Sequence, residues 1–174
     1  KRDILKILVV DDHEVFLQGL SYVLENHFND ITILTASNAR DSIDLIEQNP
    51  ELELMIIDIG LPETDGCALL KQLDERGIMI PSCIVSASED IAKIYSVMSL
   101  GAMGFIPKEW GSEQIAAGIK QILDGEIVVP QDIQKKLKTF DNLRKRIVLS
   151  KRQRDVLELM KDGLSNVRIS QILN

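Results

Sequence analysis

Cysteine is scarce: Cys67 and Cys83 are the two in 174 residues, each flanked by apolar residues and without metal-ligand spacing. They read as buried thiols in a reducing compartment, which excludes a secreted disulfide scaffold. Proline is also rare, five residues beside ten glycines, while 45% of the chain is hydrophobic and 27% charged. That balance excludes a wholly disordered, collagen-like or mucin-like chain. No stretch approaches the roughly 18 uncharged apolar residues of a membrane span, and no N-terminal apolar run leads to a small-residue cleavage site. A soluble cytoplasmic protein is expected. A chain of this length can bury roughly 70% of its extended surface, enough for a core without disulfides.

Charge is unevenly spread. Residues 1–125 carry 9 basic and 21 acidic side chains, and residues 126–174 carry 11 basic and 6 acidic. The body should repel nucleic acid, whereas the tail can approach phosphates or neutralise its own acidic body.

Apolar runs alternate with helical spacing along the body. Ile4–Val10, Ile31–Ala36, Leu52–Ile57, Pro81–Val85 and Gly104–Pro107 read as short buried strands. Between and after them, Glu14–His27, Ala39–Gln48, a stretch around Leu69–Leu73, Glu89–Leu100 and Ser112–Leu123 read as helices. Five strand–helix repeats predict an α/β fold with a parallel sheet covered on both faces. The pattern changes after Gly125: residues 126–148 read as a linker, partly helical after Pro130. Residues 149–174 hold two short helical stretches, too little for an independent core.

Chemistry gathers beyond the carboxyl ends of the strands. Asp11 and Asp12 follow the first strand, Asp58 the third, Ser86 the fourth and Lys108 the fifth. Clustered carboxylates repel unless a cation intervenes. An all-oxygen set without a His or Cys partner favours a hard cation, Mg²⁺ foremost. A carboxylate is a competent nucleophile towards phosphorus, and Lys108 suits an anionic product. His13 neighbours the acids but reads as a partly exposed loop histidine rather than a phosphohistidine. Trp110 reads as packing near the end of the fifth strand–helix loop.

These residues, in this order, resemble the bacterial two-component response regulators, specifically those that join a receiver domain to a LuxR-type helix-turn-helix, the NarL/FixJ-like subfamily. The acidic pair of the family is similar to Asp11 and Asp12 in VVDDHEVF, and its acceptor pattern to Asp58 in IIDIGLPETDG. Its switch hydroxyl matches Ser86 in IVSASE, its aromatic switch Phe105 in GAMGFIPKE, and its amine Lys108. The resemblance implies a doubly wound sheet of order 2-1-3-4-5 and makes Asp58 the phosphorylated residue. It implies Mg²⁺ held by Asp12, Asp58 and the backbone carbonyl of Gly60, with Asp11 helping through water. It also implies a sensor histidine kinase as phosphodonor, a phosphorylation-dependent homodimer and DNA as the target of the output. Such a protein is a switch that catalyses its own phosphorylation, not a turnover enzyme.

The tail is similar to the opening of the LuxR-type domain in LSKRQRDVLELM and GLSNVRISQIL. It departs from the family form at Gln153, Val167 and Arg168. Lys151, Arg152, Arg154 and Arg168 are candidate DNA-phosphate contacts. The chain stops at Asn174, before the point where the resemblance places the recognition helix that would enter the major groove. This form is therefore expected to bind specific DNA poorly or not at all. The alternative is a receiver acting through protein contacts without DNA-binding output. A third class, the Mg²⁺-dependent aspartyl phosphatases of the haloacid dehalogenase superfamily, carries D-x-D after the first strand. This chain has adjacent Asp11-Asp12 there and its acceptor after the third strand.

Overall fold

The computed structural model describes residues 4–147 of the chain. Five parallel strands form one sheet: β1 (Leu5–Val10), β2 (Ile31–Ala36), β3 (Leu54–Ile57), β4 (Ser82–Ser86) and β5 (Gly104–Pro107). Their order across the sheet is β2-β1-β3-β4-β5, all neighbours parallel. The connecting helices are α1 (Glu14–His27), α2 (Ala39–Gln48), α3 (Gly66–Glu75), α4 (Ile91–Ser99) and α5 (Ser112–Leu123), and α6 (Gln131–Ile147) follows. The strand–helix repeat predicts the parallel, doubly covered sheet, and the 2-1-3-4-5 order is the one the family resemblance implies.

The three inner strands are buried along their length because both faces of the sheet are covered, apart from the first two residues of β1. Along β1, Ile7 and Val9 enter a core with Leu20 and Leu24 of α1 and Ile115, Ile119 and Ile122 of α5. The alternate residues Leu8 and Val10, with Met55, Ile57, Ile84 and Phe105, are equally buried and point to the opposite face by the two-residue period of a strand. Side-chain caps start three of the helices. Asn38 accepts from the Asp41 N–H at 2.8 Å, Asp65 from Ala68 at 2.8 Å and Asp90 from Ala92 at 3.0 Å.

Strand limits differ from the sequence reading by a residue at the start of β1, which is Leu5, and at the end of β4, which is Ser86, and also at the starts of β3 and β4. Leu52 and Glu53 precede β3: the Leu52 N–H turns back to the Asn49 carbonyl at 3.2 Å, so the apolar run begins before the ladder does. Pro81 has no N–H to give the ladder, and β4 starts one residue later, although the Pro81 carbonyl still accepts from Met55 at 2.9 Å.

Beyond Gly125 the chain adds to the sheet edge. Val128 bridges Gly104, accepts from the Phe105 N–H at 2.8 Å and donates to the Met103 carbonyl at 3.0 Å. Ile133 is buried at the start of α6. The chain divides into two compact units, residues 1–134 and 135–174. Among the described residues no helix is long and apolar enough to cross a membrane.

Candidate functional site

Strand order decides which sequence-distant residues meet. Because β1 and β3 are neighbours with Val10 opposite Ile57, Asp11 and Asp58 emerge side by side at the carboxyl edge. The ladder continues one step past the strands and fixes their backbones: the Asp11 N–H donates to Ala36 at 3.0 Å, Asp58 to Val10 at 2.9 Å and Lys108 to Ser86 at 3.0 Å. The backbone turn after β3 depends on Gly66, where a Cβ would stand 2.6 Å from the Asp58 carbonyl oxygen. Its missing side chain lets the start of α3 lie against the Asp58 backbone.

Five of the sequence-selected residues converge here. Asp11 and Asp58 are buried, with side chains 2% and 6% exposed, while Asp12 is 34% exposed and faces the opening. The Lys108 ammonium lies 2.5 Å from Asp11 Oδ2 and 3.0 Å from Asp58 Oδ2. Asp58 Oδ1 accepts the Gly60 N–H at 3.2 Å. Ser86 is buried at the end of β4, and its Oγ accepts the Ser88 N–H at 3.1 Å. Phe105 is fully buried on β5. Trp110 is half-buried against the core after β5, and its backbone N–H donates to the Pro107 carbonyl at 3.1 Å.

Burial alone would push the Lys108 ammonium below its ordinary pKa. The hydrogen bonds to Asp11 and Asp58, reinforced by their charges, outweigh that and hold it above. Its Nζ also sits 4.4 Å from the centre of the Phe16 ring on α1, a cation–π contact that caps the ammonium on its apolar side.

Sequence reasoning missed Phe16 and read His13 as a partly exposed loop histidine beside the acids, without a role in the site. Phe16 sits at helical spacing and is indistinguishable, in a sequence, from a core residue of α1. His13 is 66% exposed, yet its Nδ1 lies 3.0 Å from Asp11 Oδ1, 3.2 Å from Asp12 Oδ1 and 4.0 Å from Asp58 Oδ2. An imidazole nitrogen thus stands among the carboxylate oxygens at this edge of the sheet. Its adjacency to the acidic pair was the available signal.

The arrangement fits a divalent cation. Three carboxylates face one ammonium, and donor atoms of Asp11, Asp12, His13 and Asp58 all lie within 4.8 Å of one another. Asp11 Oδ2, buried, has no well-directed hydrogen bond; its cationic neighbour is Lys108. Such a surplus of negative charge is relieved by a hard or borderline cation. The tail residues Lys151, Arg152, Arg154 and Arg168 lie outside the described residues.

Comparison with known proteins agrees with this geometry. A family model described as the response regulator receiver domain matches residues 7–120. The chain is 29% identical over 179 residues to the glycerol metabolism activator of Pseudomonas putida, covering 97% of this chain and 81% of that protein. It is 26% identical over 175 residues to the nitrate/nitrite response regulator protein NarL of Escherichia coli (strain K12), covering 97% and 80%. Among solved structures, a LuxR family DNA-binding response regulator from Silicibacter pomeroyi superposes with a TM-score of 0.64 at 24% identity, covering 74% of this chain and 98% of that one. With matched residues that reach all five strands and include the carboxylate cluster, the chain belongs to the response regulator receiver domain family of two-component systems and is similar to NarL.

Proposed function

We propose that Asp58 accepts a phosphoryl group from the phosphohistidine of a sensor histidine kinase and that the modified receiver controls a DNA-binding transcriptional output. The observation that carries this reading is the Asp58 carboxylate itself: buried at the end of β3, one oxygen on the Lys108 ammonium and the other on the Gly60 N–H.

A carboxylate oxygen of Asp58 attacks phosphorus, the P–O bond forms as the P–N bond breaks, and the electron pair leaves with the donor imidazole. Asp12, Asp58 and the Gly60 carbonyl would hold Mg²⁺, with Asp11 acting through water. When bound, Mg²⁺ supplies positive charge to the phosphoryl oxygens. Lys108 supplies the other positive charge from a partly buried position, where it is worth more than in water. The Ser86 hydroxyl is poised at the end of β4 to donate to the attached phosphoryl group, and Phe105 on the adjoining strand is the aromatic partner of that switch.

The activity is that of a signalling switch. Phosphorylation favours a homodimer, and a two-fold protein suits paired DNA half-sites. The basic tail, with Lys151, Arg152, Arg154 and Arg168, contributes phosphate contacts. The names of the relatives, an activator and a nitrate/nitrite response regulator, support an output of this kind.

Intact mass before and after exposure to a small-molecule phosphodonor tests the reading. One added phosphoryl group is expected with Mg²⁺ and none with a chelator present. A gain unaffected by chelation would contradict it.

A further inference from the structure

The phosphoacceptor reading assigns the cation to oxygen atoms, but the nitrogen of His13 occupies the same cluster. In an octahedral site with bonds of about 2.1 Å, adjacent donors stand about 3.0 Å apart and opposed donors about 4.2 Å apart. His13 Nδ1 is 3.2 Å from Asp12 Oδ1, as adjacent donors would be, and 4.0 Å from Asp58 Oδ2, close to an opposed pair, while its 3.0 Å approach to Asp11 Oδ1 is a hydrogen-bond distance. Hydrogen bonding does not account for the whole arrangement. Nδ1 carries at most one proton, and two carboxylate oxygens lie within bonding reach of it. The ring is 66% exposed, so it can shift onto an entering ion without disturbing the core. His13 is also the N-cap residue of α1, yet its side chain makes no capping hydrogen bond and turns to the carboxylates instead.

We propose that His13 Nδ1 is a further ligand of the cation site and that it tunes the site towards late first-row divalent ions, Mn²⁺ to Ni²⁺, over Mg²⁺. This rests on the reading of the carboxylate cluster as a cation site. The chemistry follows from donor softness. Carboxylates and water suit Mg²⁺, which gains little from an imidazole, whereas affinity for nitrogen donors rises along the series from Mn²⁺ to Ni²⁺. A mixed site of this kind holds Mg²⁺ at its high cellular abundance and still responds to a scarcer transition ion.

The test measures Mn²⁺ binding by the loss of its free electron paramagnetic resonance signal, with Mg²⁺ added as competitor, in the wild-type chain, His13→Ala, His13→Asn and Asp12→Ala. Pulsed measurements on the bound Mn²⁺ report a coordinated imidazole nitrogen directly. The wild type should show that nitrogen coupling, and both His13 variants should lose it. His13→Ala should weaken Mn²⁺ about tenfold, a loss of the size that removing a supporting residue from a metal site produces, while changing Mg²⁺ much less. His13→Asn replaces the nitrogen by an amide oxygen and should show the same loss of discrimination. Asp12→Ala should weaken both ions together. No nitrogen coupling in the wild type, or an unchanged ratio of Mn²⁺ to Mg²⁺ affinity in both His13 variants, would overturn the proposal while leaving the carboxylate site intact. A wild-type chain that binds neither ion would overturn the proposal and the cation-site reading together.

Discussion

Lys108 and Asp58, fifty residues apart in the chain, are joined by a 3.0 Å hydrogen bond that spans two strand ends. The same ammonium reaches Asp11 at 2.5 Å, so one cation holds two buried carboxylates in the unmodified protein. A phosphoryl group on Asp58 would present new anionic oxygens to that ammonium and compete for it. The Lys108 side chain is therefore the part of the site whose partners must change when the site is used.

Replacing Lys108 by Met should destabilise the protein by about 3 kcal/mol near neutral pH, because two neighbouring buried carboxylates lose their counter-charge. The sign with pH follows from the raised pKa of the ammonium. Its contribution is fully present below the ordinary lysine value of 10.5 and is lost as pH rises through the higher folded value. Urea unfolding of the two proteins should show a gap that is constant from neutral pH to about pH 10 and narrows above 10.5. A gap that widened with alkali would contradict the pairing.

Divalent cations should raise the melting temperature of the wild type, since binding to the folded state alone adds about 2.7 kcal/mol at a hundred times the dissociation constant. Asp12→Ala should blunt the effect. Lys108→Met should retain or increase it, because removal of a nearby positive charge favours a cation. Thermal melts with magnesium and with chelator provide the comparison.

Gly66→Ala tests how the phosphoacceptor loop is held. A methyl group there would stand 2.6 Å from the Asp58 carbonyl oxygen and 3.1 Å from Ile57 Cγ2, both parts of the buried strand end. The substitution should cost about 1–3 kcal/mol in denaturant unfolding, the range for overpacking. It should also slow phosphorylation by displacing the carboxylate. Gly111→Ala, with open space around the glycine, is the control expected to do neither.

His27 at the end of α1 makes two contacts that both call for a proton, one to the Val23 carbonyl at 2.8 Å and one to Glu113 of α5 at 3.2 Å. The Val23 carbonyl first, then Glu113, raise its pKa above 6.5. Its contribution to stability is therefore present below pH 6.5 and lost as pH rises through the raised value. Glu113→Gln should bring the His27 titration part of the way back, with the Val23 contact keeping the remainder. Nuclear magnetic resonance of the imidazole protons across pH reads this directly, and an unmoved titration would remove Glu113 from the account.

Much of the fold was legible because buried parallel strands leave an unmistakable trace: Ile7–Val10 and Leu54–Ile57 are continuous apolar runs that stop at Asp11 and Asp58. A charged residue directly after such a run is displayed at the carboxyl edge whatever the helices do, so the acids, Ser86 and Lys108 could be assigned to one edge before any coordinates. What could not be read depends on directions rather than on order. His13 and Phe16 belong to the first turn after β1, and the angle at which α1 leaves the strand decides that one meets the acids and the other lies under Lys108. Val128 was hidden for another reason. Its neighbours Glu126 and Pro130 give the stretch the composition of a linker, and the hydrogen bonds that tie Val128 to Met103 and Phe105 come from a partner a quarter of a hundred residues earlier.

Asp58 as phosphoacceptor is the central claim, and trapping the acyl phosphate addresses it most directly. Borohydride reduction after treatment with a small-molecule phosphodonor and Mg²⁺ converts the modified aspartate to homoserine, which peptide mapping locates. The account predicts homoserine at position 58 alone, and none in Asp58→Asn. Homoserine at Asp11 or Asp12 in the wild-type protein, with Asp58 unmodified, would contradict it.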